Sequence, residues 1–187
     1  MKILVTAAGK HGSTEEIATI IAEGLRQRGL DAALEHPDEV ASLDPYVGVV
    51  IGSAVYAGRW MTSAEQFVDR WTDALQQRQV WLFSSGPAGD PPKPEPGKAV
   101  DVSAMVAATH ARDHQLFAGK IDKESLGLVE RTLVRALHVA EGDYRDWSQI
   151  DDWAGQIADV LMTRRSPAAQ RPTSEQPPDT WLHANRM

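Results

Sequence analysis

The sequence predicts a doubly wound α/β domain: a five-stranded parallel sheet in the order 2-1-3-4-5, with helices on both faces. Three observations predict it. Short, uninterrupted apolar runs stand at residues 3–7, 47–52 and 80–83, as strands buried on both faces require. Segments with apolar residues at helical spacing alternate with them. The loops after these runs are built of Gly, Ser and Ala, at the strand ends where such sheets bind ligands.

The first strand covers residues 3–7. Ile17, Ile20, Ile21 and Leu25 then mark a helix, with Ser13 and Glu16 as a capping-box pair and Gly29 as its stop. Residues 31–36 alternate weakly, which suits the second strand at a sheet edge. A brief helical crossover fits residues 37–45. VGVVIG (47–52) is the third strand. Ala64, Phe67, Val68, Trp71 and Leu75 mark the next helix, with Thr62 and Glu65 as its capping pair. VWLF (80–83) is the fourth strand. The proline-rich PPKPEPGK after it excludes a regular element. Residues 99–109 read as a short helix and residues 114–118 as the fifth strand. Leu126, Val129, Leu133 and Leu137 form one further helical stripe, and Ile150, Trp153, Ile157 and Leu161 form the last. One domain spans residues 1–163. Residues 164–187 form a polar, proline-rich tail expected to be flexible.

Composition narrows the function. The chain has 187 residues, 42% hydrophobic and 24% charged, as in a globular protein. A net charge of −7 argues against nucleic-acid binding through phosphate contacts and against charge-driven docking on anionic membranes. The lack of cysteine excludes disulfides, cysteine-ligated metals and a thiol nucleophile. No segment has the length of a membrane span, and the N-terminus enters a strand at once. The expectation is a cytoplasmic protein without an integral membrane segment. His110, Asp113 and His114 cluster in sequence but straddle a helix-to-strand transition, so no metal site is expected. The acidic run from Glu141 to Asp152 reads as a solvated linker or a docking face for a basic redox partner. Trp147 and Trp153 read as helix-packing core.

Three loops converge at the switch point of such a sheet. In TAAGKHGST (6–14), successive N–H groups at the mouth of a helix form an anion nest, aided by the helix dipole. The Thr6, Ser13 and Thr14 hydroxyls can donate to phosphate oxygens. Gly9 and Gly12 permit close approach, and Lys10 and His11 either add charge or point to water. The loop fits neither the P-loop nor the dinucleotide fingerprint, which points to a single phosphate. In the second loop, Ser53 to Trp60, either Tyr56 or Trp60 can stack on a planar ligand; Trp60 can instead pack beneath the loop as core. The third loop, Ser84-Ser85-Gly86-Pro87-Ala88-Gly89, offers backbone groups for the edge of a flat heterocycle.

These residues carry a resemblance. KILVTAAGKHGSTEEIATIIAEGL is similar to the FMN phosphate-loop strand and helix of the flavodoxin-like family. VVIGSAVYAGRW resembles that family's second flavin loop, and VWLFSSGPAGD its third. HQLFAGKID and EGDYRDWSQIDDWA add a narrower resemblance to the flavodoxin-type, quinone-dependent protoporphyrinogen dehydrogenases. The resemblance implies FMN as cofactor. It places the phosphate on Thr6, Ala8, Gly9, Lys10, His11, Gly12, Ser13 and Thr14. It places the flavin ring on Ser53, Ala54, Val55, Tyr56, Ala57, Gly58 and Trp60, and on Ser84, Ser85, Gly86, Pro87, Ala88 and Gly89. Gly9 stands where relatives often carry serine, and GKIDKESLG replaces the basic, aromatic stretch that follows the fifth strand in the protoporphyrinogen enzymes. The implied activity is an FMN-dependent oxidoreductase acting on a flat, protoporphyrinogen- or quinone-like substrate. The flavin itself performs the chemistry, with a small molecule or a protein as redox partner. The alternatives are an electron carrier without its own substrate and a binding module that has lost the cofactor.

Overall fold

A computed structural model describes residues 1–89, 91–122, 127, 132 and 140–163. β1 (Lys2–Ala8), β2 (Asp31–Glu35), β3 (Gly48–Tyr56), β5 (Gln79–Ser85) and β6 (His114–Phe117) pair in parallel in the order β2-β1-β3-β5-β6. This is the predicted winding, with the weak second strand at an edge. The two-residue β4 (Arg59–Trp60) folds back antiparallel on β3, and β7 (Lys120–Ile121) pairs with β8 (Gly142–Asp143) as a separate ribbon.

Each central strand is buried on both faces, and its alternate residues feed two cores. Ile3, Val5, Val50, Trp81 and Phe83 pack against α1 (Ser13–Gln27) and α5 (Trp147–Thr163). Leu4, Val49, Ile51, Val80 and Leu82 face the other way, with Phe67, Val68 and Leu75 of α2 (Thr62–Gln76). The stripe Ile150, Trp153, Ile157 and Leu161 is buried as predicted. Phe83, Phe117 and Trp153 meet edge to face or tilted, at centroid separations of 5.6 to 6.3 Å. Trp147 departs from the expectation: it is 39% exposed and lies under the Arg145 guanidinium, 4.2 Å from it.

Several local expectations are corrected. Neither capping box forms. Ser13 and Thr62 already lie inside their helices, whose N-caps are Gly12 and Met61, without side-chain hydrogen bonds. Residues 37–45 form turns rather than a helix, hemmed in by Pro37 and Pro45. The expected helix over 99–109 is two pieces, α3 (Pro96–Ala99) and α4 (Ser103–Thr109), parted by the extended Val100. α3 also begins within the proline-rich stretch, because proline is well suited to a helix's first position. The stripe from Leu126 to Leu137 and the tail 164–187 lie outside the described residues.

Candidate functional site

The carboxyl ends of β1, β3 and β5 open on a cavity of about 340 Å³, within the range of small-ligand sites. The first loop contributes Lys10, His11, Ser13 and Thr14 to its wall. The second contributes Ala54, Val55, Tyr56, Ala57 and Gly58, and the third Ser85, Gly86, Pro87 and Ala88. The other residues singled out in the sequence are not part of this wall. Thr6, Ala8, Ser53, Trp60 and Ser84 are buried, and Gly9, Gly12 and Gly89 shape the loop backbones.

The first loop leaves the start of α1 open. Gly12 takes the left-handed conformation, φ 82°, and no side chain caps the helix. The N–H groups of a first helical turn have no intrahelical acceptors, and the dipole favours an anion there. A Cβ on Gly12 would meet no atom within 4 Å, so it would project into open space. Beneath the loop the Thr6 hydroxyl is buried without a hydrogen-bond partner. Gly9 N–H donates instead to the Glu15 carboxylate at 2.8 Å. A Cβ at residue 9 would come within 2.5 Å of that carboxylate, so a side chain there would displace the Glu15 carboxylate from this bond. The Gly9 N–H is thereby taken up within the loop.

The second loop is a two-residue hairpin turn. Ala57 (φ 49°) and Gly58 (φ 77°) connect Tyr56 to its antiparallel partner Arg59. Positive φ at both central residues matches a type I′ turn, whose twist fits the flanking strands. For Ala57 this conformation costs about 1 kcal/mol, so the strained residue sits on the site wall. Tyr56 is 36% exposed at the cavity, with the Lys10 ammonium 5.9 Å from its ring centre. Trp60 packs inward at 6% exposure, which resolves the two readings of the aromatic pair in favour of Tyr56 as the ring facing the cavity.

The third loop is tied down by backbone bonds. Gly119 N–H donates to Pro87 O at 2.7 Å, and Ala88 and Lys93 exchange two bonds, at 3.1 and 2.8 Å. These contacts bring Lys93, Pro94, Ala99, Gly119, Lys120 and Ile121 to the cavity, none of which the sequence pattern singled out. With Lys10 and His11, the described wall carries four basic side chains and no carboxylate, although the chain is acidic overall. His110, Asp113 and His114 form no common site. His114 bonds Ser84, whereas the Asp113 carboxylate accepts from Trp153 Nε1 and Gln115 Nε2.

Arg145 was also missed. Its side chain is 2% exposed beside the first turn of α1. It donates to Ser13 O at 3.1 Å, pairs with Glu16 at 2.7 Å, and grips Asp143 at 2.8 and 2.6 Å. It thereby clamps the β7–β8 ribbon, which carries Lys120 and Ile121, to the first turn of α1. The hydrogen bonds from Arg145 hold the Asp143 carboxyl below the usual aspartate range. Their stabilisation is present above the ordinary carboxylate pKa and is lost as the pH falls through the lowered one. Breaking a buried ion pair costs about 3–5 kcal/mol. Here both carboxylates keep solvent contact, which discounts the loss to about 2 kcal/mol. Arg145→Met is expected to lower unfolding stability by that amount at neutral pH in denaturant titration, with the deficit shrinking in acid.

Residues 4–148 match the flavodoxin domain family. The chain is similar to the protoporphyrinogen IX dehydrogenase [quinone] of Escherichia coli K12. Identity is 23% over 172 residues, covering 84% of this chain and 95% of that protein. Its fold resembles a flavodoxin from the domain Archaea, with TM-score 0.61 and 13% identity over 87% of this chain and 99% of the other. It also resembles rubredoxin oxygen:oxidoreductase from Desulfovibrio gigas, with TM-score 0.60 and 14% identity over 88% of this chain and 37% of that one. The flavodoxin of Streptococcus pneumoniae aligns with TM-score 0.57 and 18% identity, over 85% and 98% of the two chains.

Proposed function

The chain belongs to the flavodoxin domain family, and from that premise we propose that it is an FMN-dependent oxidoreductase. It passes electrons between a flat organic substrate of protoporphyrinogen or quinone type and an acceptor. The observation that carries this reading is one cavity walled by the start of α1 and by two small-residue loops at the strand ends. The residues present fit FMN. The open side of Gly12 and the free first turn of α1 suit one phosphate, with the Ser13 and Thr14 hydroxyls at its rim. The unpartnered Thr6 hydroxyl leaves a further polar atom beneath this loop.

When bound, the flavin supplies the redox chemistry. This chain's residues bind and orient it. Tyr56 presents an aromatic face, Val55 and Pro87 give the slot apolar walls, and the backbone of residues 85–88 meets the edge of the heterocycle. Lys93 and Lys120 set positive charge on the wall and favour anionic ligands. The similarity to the E. coli dehydrogenase supports a substrate-turning enzyme rather than a carrier.

The test is steady turnover. FMN-loaded protein is mixed anaerobically with protoporphyrinogen IX or a reduced quinone, and menadione is the acceptor. Porphyrin fluorescence or quinone absorbance follows the reaction. Many equivalents converted per flavin support the enzyme. Reduction that stops at one equivalent marks a carrier, and a chain that takes up no flavin marks a binding module.

A further inference from the structure

We propose that His114 is a positioning residue: it sets the hairpin loop on the cavity wall through Ser84 and Trp60, without itself lining the cavity. The proposal rests on the reading of that cavity as the flavin site. Behind the wall, Trp60 Nε1–H donates to Ser84 Oγ at 2.8 Å, and Ser84 Oγ lies 2.8 Å from His114 Nε2. Trp60 is 6% exposed and Ser84 is fully buried. Each member adjoins a cavity loop. Trp60 pairs with Val55 across the hairpin, two residues after Gly58, and Ser84 immediately precedes Ser85. His114 opens β6 beside Leu82, on the sheet face that α2 and α4 cover.

Donor counting fixes the direction of this chain. An indole N–H can only donate, so Ser84 accepts from Trp60. The hydroxyl proton of Ser84 is satisfied by His114 Nε2 when the ring is neutral with its proton on Nδ1, and this is the tautomer the proposal assigns. A protonated imidazole would aim a second donor at the same oxygen and strand the hydroxyl proton in a dry site, at the cost of a buried unsatisfied group. A second serine tether lies beside it: Met61 N–H donates to Ser53 Oγ at 2.8 Å. Two serines on neighbouring strands thus hold β4 and the residue after it from behind, and of these two tethers the one through Ser84 ends on an imidazole; at the exposed side Arg59 of β4 also pairs with the Glu65 carboxylate at 3.3 Å.

The surroundings favour the neutral ring. Burial pulls the His114 pKa below its ordinary value, and the Asp113 carboxylate pushes it back in part. β5 brings Leu82 and Ser84 to that face. α2 brings Phe67, Val68 and Trp71, and α4 brings Met105, Val106 and Ala108, none of which titrates. Asp113 is therefore the charged group, among the described residues, that acts on the ring. A His pKa lowered by folding favours the native network at high pH. The contribution is lost as pH falls from the ordinary imidazole range, about 6.5, through the lowered value.

The experiment has two arms. In ¹⁵N-labelled protein without ligand, the Trp60 indole N–H and the amides of Val55 to Gly58 are followed from about pH 7.5 to pH 5, with Trp60→Phe as the assignment control. They are expected to shift with the same midpoint as the His114 ring nitrogens, below about 6.5. In the second arm, FMN and riboflavin are titrated into wild type, His114→Gln and His114→Leu. Glutamine keeps an acceptor and cannot titrate, so its affinities should stay within about twofold, and the extra acid loss of affinity seen in wild type should vanish. The comparison cancels the titration of the FMN phosphate itself. Leucine removes the acceptor and should weaken both ligands about three- to tenfold, the scale of one hydrogen bond. Hairpin signals that ignore the His114 titration, or unchanged affinities in His114→Leu, would overturn the proposal. If no variant or wild type binds flavin, the flavin reading fails, and the ligand-free titration alone decides the role of His114.

Discussion

Gly12→Val is expected to weaken FMN binding by about 3 kcal/mol, more than a hundredfold in Kd, while the protein stays folded. Two effects act together. Valine resists the φ of 82° that Gly12 holds, a conformational cost of about 1–2 kcal/mol. Its side chain also enters the space in front of the α1 N-terminus, where no protein atom lies within 4 Å of the Cβ position. A phosphate displaced from that cradle loses charge-assisted hydrogen bonds worth about 1.5–3 kcal/mol each. Riboflavin has no phosphate, so its weaker binding should change little. Parallel titrations of both ligands, with circular dichroism as the folding control, check this. Equal losses for the two ligands would show that Gly12 serves the fold rather than an anion.

Gly52→Ala should produce the largest loss of stability. Gly52 lies in β3 at the base of the hairpin loop and pairs with Phe83 of β5. A Cβ there would stand 2.0 Å from the Phe83 ring, and that ring has no room to retreat. Phe83 is fully buried against Phe117 and Trp153, with centroids 5.9 and 6.3 Å away. Overpacking of this kind costs about 1–3 kcal/mol and more where the neighbours are fixed. We expect about 3 kcal/mol, or a fall in Tm of about 6–12 °C for a domain of this size. Phe83→Leu in the Gly52→Ala background should recover part of it, because the two sites share one space. A single variant with unchanged Tm would mean that the aromatic cluster is looser than its geometry.

What could be read from the sequence follows from how strongly each feature is written by local pattern. The apolar runs of β1, β3 and β5 leave few alternatives to a parallel sheet, and the stripes of α1, α2 and α5 leave few to helices packed on it. The first loop was legible because glycines and hydroxyls between a strand and a helix have a direct physical use. The cap was misassigned because Ser13 has the preferred residue type, whereas the left-handed turn at Gly12 moves the helix start back by one residue. The hairpin at residues 57–58 was hidden because Ala-Gly is a weak signal for a turn that favours Asn-Gly. Lys93, Lys120 and Arg145 reach the site or clamp it through tertiary contacts alone, so no spacing in the sequence announces them. His114 figures in the sequence only within the cluster with His110 and Asp113, because its partner Ser84 is 30 residues away and reached across β5 and β6.

We propose that the cavity holds one FMN with its phosphate at the start of α1. Protein purified in its folded state and saturated with a mixture of FMN, FAD and a nicotinamide dinucleotide can be freed of unbound ligand, denatured, and its released cofactor separated by chromatography. FMN at one equivalent per chain is the expected result. Recovery of FAD or the nicotinamide dinucleotide as the tight ligand, or of no flavin from folded protein, would contradict it.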